Sequence, residues 1–200
     1  LHLSGLLGLS IMETISQQTV KDIYRIVLYG PESTGKTSLA QGLAAHFKTQ
    51  WVPEFARTYL QEKWEREQAV CALADLPHIV RGQIRWENER LLSAEKWLFC
   101  DTNALVTQVW SQTHFEGYCA PEIKKAVQDY HYDFYLLTQP DLPWVRDDLR
   151  DRPAAREEMF ESFKYQLDKH NLPYALVGGK HTSRLQNAIT ALKKWEKSLI

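Results

Sequence analysis

Eight consecutive residues, Gly30-Pro31-Glu32-Ser33-Thr34-Gly35-Lys36-Thr37, fill the spacing G-x-x-x-x-G-K-[ST]. Each fixed position has a chemical reason. Gly30 and Gly35 permit backbone dihedrals that a side chain would forbid, so successive N–H groups can turn inward toward phosphate oxygens. Glu32, Ser33 and Thr34 supply the amides between them, and Ser38 lies just beyond. Lys36 is placed to reach β- and γ-phosphates as a cation, and the Thr37 hydroxyl to ligate Mg²⁺. A helix opening at Lys36 adds its unsatisfied amides and positive dipole end. The expected ligand is ATP with Mg²⁺.

The flanks supply the context that this spacing requires. Before it, Tyr24 to Tyr29 is an apolar, partly β-branched run that reads as a buried strand. After it, Leu39, Leu43 and Phe47 recur every four residues, the core stripe of a helix. Further short apolar runs at about 50–53, 97–101, 134–138 and 174–177 are each followed by a helical stretch. This alternation predicts an α/β fold, a five-stranded parallel sheet flanked by helices in three layers, and the loop spacing makes its expected type a P-loop NTPase. A last helix would carry Leu185, Ile189, Leu192 and Trp195 or Leu199. In such sheets ligands sit at the carboxyl ends of the strands, so residues just past each strand are the ones to inspect.

Past the second strand stand Glu54 and Arg57. A carboxylate there is placed to take a proton from a hydroxyl attacking the γ-phosphate, with Arg57 one helical turn on as an anion contact. Past the third strand comes Asp101-Thr102-Asn103. Asp101 reads as the acid that orients Mg²⁺, although Asp101 or Thr102 would also serve as a helix N-cap. A helix from about His78 to Glu95 has Ile84, Leu91 and Leu92 as its core side, which leaves Gln83, Arg85, Trp86, Glu87 and Arg90 mostly on a solvated face. Trp86, Trp110, Tyr59 and Tyr118 are candidates to stack on a cationic ring. Residues 141–156 alternate four arginines with acids, three of them between Pro143 and Pro153. That composition suits a lid closing over phosphates, with Arg146 and Arg150 as catalytic contacts, Arg152 on the nucleotide, and Arg156 starting the next helix. The loop Val177-Gly178-Gly179-Lys180-His181 is the last on the ligand rim.

Composition bounds the rest. With 24 basic residues against 25 acidic ones, the net charge of −1 offers no electrostatic case for nucleic acid or a membrane surface. Three cysteines, Cys71, Cys100 and Cys119, lack metal-ligand spacing and read as reduced thiols in a cytoplasmic protein. Residues 1–20 read as a poorly ordered extension, with Met12 a candidate start, and residues 21–200 as a single domain. Nothing fixes an oligomeric state.

Four blocks in order carry a resemblance: Gly30 to Thr37; Pro53-Glu54-Phe55-Ala56-Arg57; Cys100 to Asn103 with Val106-Thr107-Gln108; and Trp144 to Arg150. Together they resemble the ribosylnicotinamide kinase domain of the NadR-type family, over about residues 24–195. The resemblance implies a nucleoside-kinase-like form of the P-loop fold and ATP-dependent phosphorylation of nicotinamide riboside to the mononucleotide, in NAD salvage. It assigns Lys36 and Thr37 to ATP and Mg²⁺, Glu54 and Asp101 to the reaction rim, and the arginines after Trp144 to a lid. With Arg57, Asn103 and Trp110, Glu54 and Asp101 are the expected substrate contacts; Asn103 stands where the family tends to have a second acid. No H-x-G-H signature is present, so adenylyl transfer is not expected. Two alternatives stay open: a kinase of another nucleoside or small hydroxyl compound, and a non-catalytic ATP-binding regulator.

Overall fold

The structure, a computed structural model, describes residues 23–145 and 155–200. The expected N-terminal extension and the lid arginines Arg146, Arg150 and Arg152 lie outside them. Five strands, β1 (Tyr24–Tyr29), β2 (Gln50–Val52), β3 (Trp97–Asp101), β4 (Phe134–Thr138) and β5 (Tyr174–Val177), form one sheet in the order β2-β3-β1-β4-β5. Every pairing is parallel. Pro53 has no N–H to give to a ladder, which is why β2 stops one residue short of the expected run.

The middle strands are mostly apolar because both faces are covered. Along β1, Ile26 and Leu28 enter one core with Leu39, Leu43, Ile189 and Leu192. Val27 and Tyr29 enter the other, with Leu105, Phe160, Phe163 and Leu167. This period-two division places helices α1 (Lys36–Phe47) and α7 (His181–Lys197) on the first face. Helices α4 (Ala104–His114) and α6 (Arg156–Lys169) cover the second. Each fully buried Leu, Ile or Phe contributes on the order of 1.5–3 kcal/mol.

A third cluster joins α3 (Leu76–Leu91), α4 and α5 (Pro121–Asp129) through Leu76, Ile79, Val80, Ala104 and Ile123. Here α3 departs from the sequence reading in two ways. It ends at Leu91, so Leu92 falls past the last turn and is exposed. Gln83 and Glu87, expected on a solvated face, are buried. The Tyr132 hydroxyl donates to Glu87 Oε2 at 2.7 Å, and burial pushes this carboxyl up to about 7. By contrast α2 (Phe55–Glu67) contains no buried residue. Among the described residues no helix is long and apolar enough to cross a membrane.

Candidate active site

The loop after β1 takes the backbone path that its glycines anticipate. Gly30 has φ 134° and Gly35 φ 77°. A Cβ on Gly30 would come within 2.9 Å of both the hydroxyl and the carbonyl oxygen of Thr138, so no side chain fits between the loop and β4. Thr34 is fully buried: its Oγ1 donates to Pro31 O (2.9 Å) and lies 2.7 Å from Thr138 Oγ1. Only its backbone can therefore meet a ligand. Ser33 sits at φ 55° and its Oγ accepts from the Val145 amide (2.9 Å). Lys36 Nζ lies over the loop and donates to Pro31 O at 2.6 Å. Thr37 and Ser38 open α1 on its exposed side.

The carboxyl end of β3 lies beside this loop because β1 and β3 are neighbours, Leu28 against Asp101. Thr37 Oγ1 donates to Asp101 Oδ2 at 2.5 Å, while Asp101 Oδ1, also buried, finds no hydrogen-bond partner among the described residues. Burial pushes the Asp101 carboxyl up to about 6. The neighbouring Glu54 charge adds to the rise; Lys36, the Thr37 hydroxyl and Arg57 oppose it. A hydroxyl, an orphan carboxylate oxygen and a loop of inward amides are the donor set that Mg²⁺ and polyphosphate require.

Glu54 stands at the N-cap position of α2, two residues past β2, without a side-chain capping bond, and Arg57 Nε lies 3.8 Å from Glu54 Oε2. Both residues line one cavity of about 560 Å³ together with the phosphate loop from Gly30 to Ser38. Away from the loop, that cavity is walled by Leu60 and Trp64 of α2 and by Val106, Trp110 and His114 of α4. Trp110 stacks on His114, with centroids 4.0 Å apart and planes at 13°. Of the aromatic residues named from sequence, only Trp110 lines this cavity. Trp86 packs against Phe55, Tyr59 bonds to Asp75, and Tyr118 is exposed.

Asn103 departs from its expected place. Its side chain is spent within the protein: Oδ1 accepts from the Val106 amide (3.2 Å) and Nδ2 donates to Tyr135 OH (3.3 Å). It caps α4, the role that sequence allotted to Asp101 or Thr102, because the chain needs one more residue to turn from β3 into the helix. Trp64, Gln83 and His114 went unnamed as cavity residues. The spacing i, i+4 that joins Leu60 to Trp64, and Val106 to Trp110 and His114, was the available signal.

The remaining rim is built from the segment flanking 146–154. Arg156 begins α6 as expected, and its guanidinium reaches back to Leu142 O (2.9 Å) and Ser33 O (3.3 Å). Asp141 accepts from the Gly179 amide (2.6 Å) and from Arg184, joining the loops after β4 and β5.

A family model described as AAA domain matches residues 25–184, four-fifths of the chain. The chain belongs to this AAA domain family. Among curated proteins, this AAA domain is 26% identical over 154 residues to the trifunctional NAD biosynthesis/regulator protein NadR of Escherichia coli (strain K12), covering 76% of this chain and 37% of that protein. It is 28% identical over 145 residues to the protein of the same name from Salmonella typhimurium, covering 70% of this chain and 35% of that one. The chain thus spans little more than a third of the curated relatives that it matches. Among solved structures, a NadR protein in complex with NR superimposes with a TM-score of 0.69 at 21% identity, over 86% of this chain and 50% of that one. Thymidylate kinase from Ehrlichia chaffeensis gives 0.58 at 13% identity, over 84% and 98%. The fold is that of P-loop kinases, as the loop motif and the family resemblance implied.

Proposed function

We propose that this AAA domain is an ATP-dependent kinase that phosphorylates a ribosyl hydroxyl of nicotinamide riboside, giving the mononucleotide for NAD biosynthesis. The observation that carries the reading is one cavity with two unlike ends. One end is a phosphate loop with Asp101 beneath it and Glu54 on its rim; the other is an aromatic chamber bounded by Trp64 and Trp110. The similarity to NadR and to the NadR structure with NR supports the choice of acceptor.

In this reading the amides from Glu32 to Ser38 and the Lys36 ammonium hold the β- and γ-phosphates. Mg²⁺, held by Thr37 Oγ1 and Asp101, would supply charge neutralisation on those oxygens. Asp101 is assigned in this reading to the Thr37 hydroxyl and the metal, which leaves Glu54 to take the proton of the attacking hydroxyl. The acceptor oxygen bonds to the γ-phosphorus as the bond to the β–γ bridging oxygen breaks, and ADP leaves. Arg57 sits where it can meet either acceptor or phosphoryl oxygens. The indole face of Trp110 attracts a pyridinium ring, a contact worth roughly 1–2 kcal/mol once desolvated. Arg146, Arg150 and Arg152 complete the proposal as lid contacts, and the composition points to action in the cytoplasm.

The test is ATP consumption with and without nicotinamide riboside, with mass detection of the mononucleotide and Lys36→Ala as control. Riboside-dependent turnover that Lys36→Ala loses is the expected result. Turnover on another nucleoside alone would move the acceptor, and hydrolysis indifferent to any acceptor would sink the kinase reading.

A further inference from the structure

Glu54 touches the cavity, yet the helix that follows it has no buried residue of its own to hold it. What fixes its position lies on α3. Gln83 is 3% exposed, and its Oε1 accepts from the Phe55 amide at 2.9 Å. That amide belongs to the peptide bond joining Glu54 to Phe55. It is the first N–H of α2, one of those for which a helix offers no internal partner. One residue earlier, Gly82 makes room for the Phe55 ring: a Cβ there would come 2.2 Å from it. One turn later, Trp86 meets the same ring edge to face, centroids 4.8 Å apart. Arg85 completes the surround, its guanidinium carbon 6.0 Å from the ring centre.

Gly82, Gln83 and Trp86 therefore form a socket on one turn of α3 that receives Phe55, and the residue leading into that socket is Glu54. We infer that Gln83 and Gly82 are positioning residues for phosphoryl transfer, acting through Glu54 by fixing the peptide on its carboxyl side. The inference rests on the kinase reading above and on Glu54 as the proton acceptor in it. Gly82 is required for its absent side chain: a methyl group there would overlap the Phe55 ring, which must then shift together with the peptide that joins it to Glu54. Gln83 is required for an acceptor of its length, since an amide left without one in a buried position is costly.

The experiment is a double-mutant cycle on the full chain. Gln83→Met keeps the volume and removes the acceptor; Gly82→Ala fills the socket. In the wild-type background, Gln83→Met and Gly82→Ala should each lower kcat about tenfold or more, with KM for ATP unchanged. In the Glu54→Gln background, assayed by single turnover with enzyme in excess, neither should lower the rate further, since residues that act as one unit are not additive. Should Gly82→Ala fail to fold, Gln83→Met alone decides. Equal losses in both backgrounds would overturn the inference and leave Gln83 as a direct substrate contact or a purely structural residue. A wild-type rate in Glu54→Gln alone would remove Glu54 from the mechanism, and the inference with it. That failure is distinct from the first.

Discussion

At the scale of single residues the site holds a stability cost that its chemistry explains. Asp101 is buried against Thr37 with one oxygen unpartnered, and its carboxyl is pushed up to about 6 from 3.8. The sign follows from linkage. Below about pH 4 the group is protonated whether the chain is folded or not, and it costs nothing. Between pH 4 and 6 the unfolded chain loses its proton first, so folding is penalised increasingly as pH rises. Above 6 the full penalty, on the order of 2–3 kcal/mol, remains. Asp101→Asn should therefore raise the thermal midpoint of the ligand-free protein at pH 8, leave it nearly unchanged at pH 4, and abolish turnover at both. Thermal melts at the two pH values check the first part, and an unchanged midpoint at pH 8 would contradict it. Asp101 was legible in sequence because its place, directly past an apolar run, is set by β3 alone. Asn103 was not: its commitment to Tyr135, 32 residues away, depends on how β4 lies beside β1.

At the scale of elements, the strands were readable and the helix contacts only in part. A strand covered on both faces is a near-continuous apolar run, a pattern visible without knowing its neighbours. The pattern on α3 misled because Glu87 is charged in the chain and buried in the fold, where Tyr132, 45 residues on, supplies its hydroxyl. Helix α2 is a different case: it carries cavity residues Leu60 and Trp64 yet buries none of its side chains. Its attachment beyond Phe55 runs through Asp75, which accepts from Lys63 Nζ (2.6 Å), the Ala72 amide (2.7 Å) and Tyr59 OH (2.9 Å). Burial opposes the charge on Asp75, but these three bonds outweigh it and hold the carboxyl below its usual value. The stability they bring is present above about pH 4 and is lost as pH falls through the lowered folded value. Asp75→Ala releases the Lys63 and Tyr59 contacts together and loosens the wall that faces the acceptor. The expected outcome is a KM for the acceptor raised several-fold, roughly the effect of 1 kcal/mol, with KM for ATP unchanged because the phosphate loop is anchored elsewhere. Equal rises in both constants would place the clasp's influence on the whole site instead.

At the scale of the whole molecule, the strand order β2-β3-β1-β4-β5 brings the ends of β1, β2 and β3 to one side. Residues 30–37, Glu54, Ala56, Arg57 and Asp101, distant in the chain, there share one cavity or its floor. The phosphate loop is also tied across the sheet. Thr34 meets Thr138 of β4, Arg156 of α6 reaches Ser33 O, and Gly35 lies against Leu142. A ligand held on this loop is thus coupled to both layers of helices and should stabilise the fold as a unit rather than locally. Binding to the folded chain alone adds RT ln(1 + [L]/Kd), about 2.7 kcal/mol at a hundredfold excess over Kd. For a chain of 200 residues that corresponds to a rise of roughly 5–10 °C in thermal midpoint. Mg·ATP should produce a single cooperative transition shifted by this amount. Lys36→Ala should fold with a similar ligand-free midpoint, because the Lys36 bond to Pro31 O leaves the Thr34 hydroxyl as a second donor to the same oxygen, and should show little or no shift. Calorimetry with and without Mg·ATP measures both. Two separated transitions in the presence of Mg·ATP would show that the loop is not coupled to the sheet as a whole, and an undiminished shift in Lys36→Ala would place the nucleotide somewhere other than this loop.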